Sequence, residues 1–375
     1  PSIADPFLPT KIREGRLDDI RECIGCNICV SGDFTQSPIR CTQNPTMAEE
    51  WRKGWHPERV KPRKSPKPVL IVGAGPAGLE AAQVLGKRGY EVTLAEAGTE
   101  LGGRVAAEAR LPGLAAWIRV RDHRKLQLDQ LPNVEIFFDS RLSAAHVLDF
   151  GFPRVVIATG ATWRADGVAH RHTRPIPIAP GARVFSPSDV IAGRLPPEGG
   201  SVVVFDDDHY YMGGVLAELM AERGHRTTYV TPASEASTWT RNTMEQAFIQ
   251  TRLLEKGVEI RAFTSLDAVE AGAAVTSCVF TGRIDRIAAD AVVLVTARLP
   301  NEELRLDLEA RKADWADARI ESVTTIGDAL APATIAHATY AGRRCAEELD
   351  ETPPVEGTLP FRREIAELAP LDRSV

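Results

Sequence analysis

The sequence is short of several things that would point to common classes of function. No apolar run in its 375 residues approaches the roughly 20 that a membrane span needs, and the first residues lack the basic-then-apolar pattern of a secretory signal. Basic residues are not in excess: 45 Lys and Arg stand against 51 Asp and Glu, a formal net charge of −6. Phosphate backbones need a basic surface, so nucleic acid is not expected as a partner, nor is a membrane. Cysteine is scarce, six residues in all, which excludes a disulfide scaffold. The eight histidines show no i, i+4 pair suited to a single metal ion, and no nucleophile elbow is present. A hydrophobic content of 43% with a small net charge excludes a disordered chain. At about 150 residues per domain, the length allows two or three domains.

What is there has a clear order. Residues 1–65 are polar, rich in turn signals and carry four of the six cysteines. The basic, Pro-rich stretch 61–68 reads as a linker. Beyond it, short β-branched runs alternate with Ala/Leu-rich helical stretches. Strands are expected at Val69–Val72, Val92–Ala95, Val134–Phe137, Val155–Ala158, Val202–Phe205, Thr228–Val230, Val292–Val295 and Val323–Ile326. Helices are expected near 77–88, 213–223, 241–256 and 333–349. Such alternation predicts an α/β chain with parallel sheets. Val69–Ala95 and Val202–Val230 read as two copies of one strand–turn–helix–strand unit. The expected fold is therefore two interleaved Rossmann-like domains preceded by the cysteine segment. One domain would take 66–195 and 298–375, and the other 196–297. The charged stretch 351–375 reads as a surface-running tail.

Cys23, Cys26, Cys29 and Cys41 form C-x2-C-x2-C-x11-C. Three close thiolates on one wrapping loop and a fourth from farther along suit a cuboidal iron–sulfur cluster. Gly25 permits tight backbone there, and Ile24, Ile28 and Val30 would exclude water. Structural zinc is the rival, although it usually takes its thiolates from two separated C-x2-C knuckles. A reduced-thiol site of this kind suits a cytoplasmic location. Cys278, in a strand-like run, and Cys345, in a helix, are expected to be buried and structural.

Val69-Leu70-Ile71-Val72 runs straight into Gly73-Ala74-Gly75-Pro76-Ala77-Gly78, then a helix, a second strand and Glu96. Gly73 allows the tight turn, Gly75 lets backbone approach a pyrophosphate, and Gly78 lets the helix pack closely. The helix N-terminus would hold the phosphates, and Glu96, with Ala97 beside it, would meet the adenosine ribose. Leu101-Gly102-Gly103-Arg104, Ala158-Thr159-Gly160 and Gly327-Asp328 complete the pattern. Together they resemble the FAD half of flavoprotein reductases with two dinucleotide folds. That resemblance implies that Asp328 bonds the flavin's sugar chain.

The second copy is broken where it matters. Val202–Phe205 continues into Asp206-Asp207-Asp208-His209-Tyr210-Tyr211, with Gly213-Gly214 only later. Aligned on the strand, Asp206, Asp208 and Tyr211 stand where three glycines belong. Aspartates there would repel a pyrophosphate and could cap the helix themselves, and Tyr211 would fill the space needed for close packing. The fold is expected to survive without the nicotinamide cofactor. The aromatic run reads as a plug rather than an electron relay, and Trp117 and Arg121 as ordinary packing rather than a docking surface.

Cys23–Cys29, Cys41-Thr42-Gln43-Asn44-Pro45, Gly54-Trp55-His56-Pro57-Glu58, Leu111-Pro112-Gly113-Leu114 and Ile326-Gly327-Asp328-Ala329 resemble the trimethylamine dehydrogenase family. The resemblance covers essentially the whole chain. It implies a [4Fe–4S] cluster on the four cysteines and FAD, or ADP in the same site. It implies an FMN-bearing TIM barrel that this chain lacks, with Pro1–Pro9 resembling the end of the barrel's last strand. No catalytic residue can therefore be named. The whole enzyme would demethylate an amine such as dimethylglycine, N-methylproline, or di- or trimethylamine. Electrons would pass from FMN through the cluster to an acceptor of the electron-transferring flavoprotein type, and a homodimer is the assembly expected. Two other readings stand beside it: an NAD(P)H-dependent enoate or dienoyl-CoA reductase, and a non-catalytic docking platform that binds a nucleotide.

Overall fold

The computed structural model describes residues 2–351; the tail read at 351–375 lies outside them but for its first residue. Two five-stranded sheets dominate, and all their pairings are parallel. The first runs, edge to edge, Ser322–Thr325, Arg154–Ile157, Val69–Val72, Val92–Ala95 and Val134–Phe137. The second runs Val184–Phe185, Ala291–Val295, Ser201–Asp206, Arg226–Val230 and Glu259–Arg261. All four residues of Val69–Val72 and all five of Ala291–Val295 are buried. Such unbroken apolar runs belong to strands covered on both faces, which is why they carry no alternation.

The chain leaves the first sheet after Ile157, builds the second, and returns to the first at Ser322–Thr325. A two-stranded antiparallel ribbon, Ala161–Trp163 with Arg298–Pro300, carries both crossings. Val184–Phe185 already pairs in the second sheet, upstream of the boundary expected at 196. A three-stranded antiparallel sheet, Thr264–Glu270, Ala273–Cys278 and Ile284–Ala288, covers one face of the second. Of its three strands only the run ending at Cys278 showed in the sequence. The helices Arg119–Asp129 and Ala144–Phe150 were unforeseen. The first is too polar to show an apolar stripe, and buries Arg124 and His123 instead.

Helix Pro76–Lys87 packs on helix Ile335–Glu348 through small residues. A Cβ on Gly342 would lie 2.2 Å from the Ala77 carbonyl oxygen, so no larger residue fits the crossing. The cysteine segment holds only two short helices, Leu8–Arg13 and Ile28–Phe34. Polar contacts fasten it to the first lobe. The fully buried Arg124 guanidinium lies 2.8 Å from Glu80 and donates to Gln43 Oε1 at 3.1 Å. Gln43 Nε2 in turn donates to the Glu22 and Arg119 carbonyls. The basic stretch before Val69 has no regular structure, yet Arg63 N–H donates to Arg88 O and Lys64 N–H to Asp350 Oδ2. Among the described residues no helix is long and apolar enough to cross a membrane.

Candidate functional site

A cavity of about 850 Å³ opens at the carboxyl ends of the first sheet's strands, the place where open parallel sheets bind ligands. Of the sequence-derived contacts, Gly73, Gly75, Pro76, Ala77, Glu96, Ala97, Gly103, Arg104, Thr159, Gly160 and Asp328 all line it. Gly78 and Gly327 do not, and both serve packing. A Cβ on Gly78 would lie 1.9 Å from Gly73 O, and one on Gly327 would lie 2.7 Å from Ala77 Cβ. Gly73 has φ +105°, and its Cβ would meet Ala158 O at 2.4 Å. Gly75 differs: its φ is −72° and a Cβ there would touch nothing within 4 Å. Its absent side chain leaves a clear approach for a ligand. No side chain caps the helix that follows, so its first-turn N–H groups and dipole face an open cradle.

Glu96 is held by two backbone donors, Ala74 N–H to Oε2 at 2.8 Å and Gly98 N–H to Oε1 at 2.7 Å. Each oxygen keeps a lone pair that a ribose hydroxyl could use. Asp328 is more heavily engaged than the sequence suggested. Its Oδ1 accepts from Ala333 N–H at 3.1 Å, while Oδ2 faces Arg104 at 3.1 Å and Arg298 at 2.9 Å. Arg104 also lies 2.9 Å from Glu108, yet its buried Nη1 has no hydrogen-bond partner. Burial disfavours that cation, but Glu108, Tyr211, Asp328 and Asp208 together raise its pKa above the ordinary arginine value. An unspent cationic donor against an open phosphate cradle fits an adenine nucleotide. Thr159 is turned to Asn301, which takes its hydroxyl and bonds back to its carbonyl, each at 2.8 Å. Asn301, Glu303 and Asp307 line the cavity without any sequence motif to announce them.

All four segment cysteines are free thiols. Burial pushes the Cys26 thiol up to about 11, against a 3.2 Å contact with the Thr42 hydroxyl, and Cys41 and Cys23 raise it further. Burial also raises Cys41, and Cys29 adds to it. Gly25 and Asn27 turn the loop through φ +71° and +49°. Ile24 and Ile28 are buried beside them, and Val30 is half-buried. Four thiols on such a loop fit an iron–sulfur cluster in ligand type and number. Among the described residues no three His, Cys, Asp or Glu side chains are grouped to hold a single ion. Cys345, expected to be buried, is half-buried, and desolvation pushes its thiol up to about 12. Cys278 is not the buried residue expected. Its strand ends there, the thiol is half-exposed, and bonds from Thr281 lower its pKa to about 7.

The second lobe corrects two details of the broken motif. Its helix, Tyr211–Glu222, begins two residues later than in the first copy, so Gly213 takes the place of Gly78. A Cβ on Gly213 would lie 2.5 Å from Asp206 Cγ, so the close-packing glycine is retained and Tyr211 does not fill its space. The aspartates do not cap the helix either. Asp206 Oδ1 accepts from the loop N–H groups of Asp208 and His209, and Oδ2 from the Tyr229 hydroxyl. Burial raises the pKa of Asp206 and lifts that of Asp208 to about 6. The mouth of the motif is filled. His170 stacks on His209 at 5.8 Å, Arg171 N–H donates to Asp207 Oδ2 at 2.7 Å, and Tyr210 sits 4.8 Å from both Tyr211 and Trp239. Trp117 is buried against Tyr211 at 4.6 Å, and Arg121 pairs with Glu100 and Asp122.

Two family models match this chain: an NAD(P)-binding Rossmann-like domain over residues 71–139 and an OYE-like second alpha/beta domain over 185–280. The chain is 40% identical to a dimethylamine dehydrogenase of Hyphomicrobium sp. (strain x), across 97% of its own length and 53% of that protein. The solved histamine dehydrogenase of Rhizobium sp. 4-9 is 58% identical with a TM-score of 0.95, covering 99% of this chain and 57% of that one. A 6-hydroxypseudooxynicotine amine oxidase from Pseudomonas geniculata N1 is 47% identical with a TM-score of 0.88, covering 93% and 52%. The chain thus spans little more than half the length of these relatives.

Proposed function

Because this chain belongs to the trimethylamine dehydrogenase family of oxidoreductases, we propose that it is the electron-handling part of an amine dehydrogenase. The cysteine segment would be the iron–sulfur segment, and the two sheets two interleaved dinucleotide-type domains. In that reading an FMN-bearing barrel oxidises a methylated or related amine, and this part moves the electrons onward. A [4Fe–4S] cluster on Cys23, Cys26, Cys29 and Cys41 would supply one-electron transfer. The residues do the rest. Ile24 and Ile28 keep water from the thiolates, and Arg124 and Gln43 lock the segment to the first lobe. Gly75, the helix dipole, Arg104 and Glu96 hold an adenine nucleotide, FAD or ADP. Electrons would leave to a protein acceptor of the electron-transferring flavoprotein type, in the cytoplasm.

The observation that carries this reading is the contrast between the lobes: one open cradle beside four free thiols, and one motif occupied by its own side chains. That contrast also weighs against an NAD(P)H-fed reductase. The test is anaerobic purification followed by iron and sulfide analysis and chromatography of the nucleotide released by heating. About four irons with sulfide and one adenine nucleotide per chain support the proposal. Stoichiometric zinc without iron overturns the cluster, and no nucleotide overturns the cradle. ADP without FAD on iron-bearing protein favours a docking platform. Rapid reduction of the holoprotein by NADPH would establish the reductase instead.

A further inference from the structure

Beside their shared apolar packing, a chain of polar contacts links the filled second lobe to the open first one. Tyr211, the first residue of helix Tyr211–Glu222, donates its hydroxyl to Glu108 Oε2 at 2.6 Å. Glu108 is fully buried, and its Oε1 lies 2.9 Å from Arg104 Nε as an ion pair without a hydrogen bond. Arg104 reaches Asp328 at 3.1 Å with Nη2 and leaves Nη1 without a partner. Arg104, Glu108 and Asp328 all line the nucleotide cavity. Arg104 follows Gly103, whose Cβ would lie 3.1 Å from Gly75 Cα, so the guanidinium is rooted beside the phosphate cradle. Tyr211 itself is wedged between Trp117 at 4.6 Å and Tyr210 at 4.8 Å, which fixes where its hydroxyl points.

Resting on the adenine-nucleotide reading of that cavity, we propose that Tyr211 is a positioning residue for the nucleotide's phosphates, acting through Glu108 and Arg104. A buried carboxylate oxygen left without a donor is costly, and a carboxylate with neither oxygen held is free to turn toward the nearest cation. Tyr211 holds Oε2, which keeps the carboxylate turned with Oε1 toward Nε of Arg104 and leaves Nη1 free for the ligand. Without that hydroxyl, Oε2 is left unpaired in a buried site and draws the guanidinium toward itself. The position that opens a phosphate-binding helix in a working dinucleotide fold thus serves the neighbouring fold's phosphate site.

The test measures ADP binding by titration calorimetry to the nucleotide-stripped full chain. Tyr211→Phe keeps the ring and its packing and removes only the hydroxyl. It should weaken ADP about tenfold, the worth of one hydrogen bond to a charged group. Tyr210→Phe is the matched control, since among the described residues that hydroxyl makes no hydrogen bond; it should bind as the parent does. In an Arg104→Ala background, Tyr211→Phe should have no further effect, because the residue acts through Arg104. A purely structural role would give the same loss in both backgrounds and would overturn the inference. So would unchanged binding by Tyr211→Phe, or an equal loss in Tyr210→Phe. If the parent chain binds no ADP, the nucleotide reading fails and takes the inference with it.

Discussion

Two glycines of the first motif, three residues apart, should fail in opposite ways when a methyl is added. At Gly78 the new Cβ would sit 1.9 Å from Gly73 O, which is backbone and cannot swing aside. Helix Pro76–Lys87 would have to lift from the sheet. Overpacking of that kind costs about 1–3 kcal/mol or more, so Gly78→Ala should unfold at markedly lower denaturant and lose nucleotide as a consequence. Gly75→Ala adds the same methyl at φ −72° with nothing within 4 Å. Its cost to the fold is that of a poorer helix N-cap, about 0.5–1 kcal/mol, partly offset by the lower entropy of the unfolded chain. The methyl would nevertheless project where a pyrophosphate must approach. Losing one charge-assisted hydrogen bond, about 1.5–3 kcal/mol, lowers affinity roughly 10- to 100-fold. Urea unfolding and ADP calorimetry on the two variants and the parent separate these effects. An unchanged ADP affinity in a folded Gly75→Ala protein would refute the cradle, and a stable, nucleotide-loaded Gly78→Ala protein would refute the packing argument.

Three further outcomes are expected. His123 is kept neutral down to about 2, first by burial and then by Arg21, Arg124, Lys87 and Lys11. Its folded pKa lies below the unfolded 6.5, so the stability is fully present above pH 6.5 and is lost as pH falls below it, by up to about 1.4 kcal/mol per unit. Melting curves from pH 7 to 5 should therefore be flatter for His123→Gln than for the parent, and parallel curves would contradict this. Arg124→Ala strands the buried Glu80 carboxylate and should cost about 3–5 kcal/mol in urea unfolding; a loss under 1 kcal/mol would contradict a tightly paired, desolvated Glu80. Cys26→Ser should lose most of the iron and sulfide after anaerobic reconstitution whereas Cys345→Ser keeps both, and equal iron in the two would remove Cys26 from the ligand set.

All five strands of the first sheet and three of the second were legible because buried parallel strands are written as continuous β-branched runs, as in Val69–Val72 and Val292–Val295; the short edge strands Val184–Phe185 and Glu259–Arg261 were not. The nucleotide cradle was legible because each of its glycines answers a local steric demand, made by residues close by in the chain or at the next strand end. The antiparallel sheet over 264–288 was not. Its residues neither alternate cleanly nor run together, and it exists because one face of the second sheet needs covering. Gly213 shows the same limit on a smaller scale. Aligning on the strand put Tyr211 at the packing position, but the two extra loop residues between Asp206 and the helix moved the crossing to Gly213.

By itself the sequence determined most of the parallel strands, the ligand-type residues and the contrast between an intact and a broken motif, since each depends on neighbours within a few residues. The tertiary structure alone decided who uses the charges. That Asp328 is shared by two arginines, that Arg104 keeps a free nitrogen, and that Tyr211 serves the other lobe's acid are facts of elements up to some 220 residues apart in the chain. Charge pairing acts through space, and only the folded chain brings those groups within reach of one another.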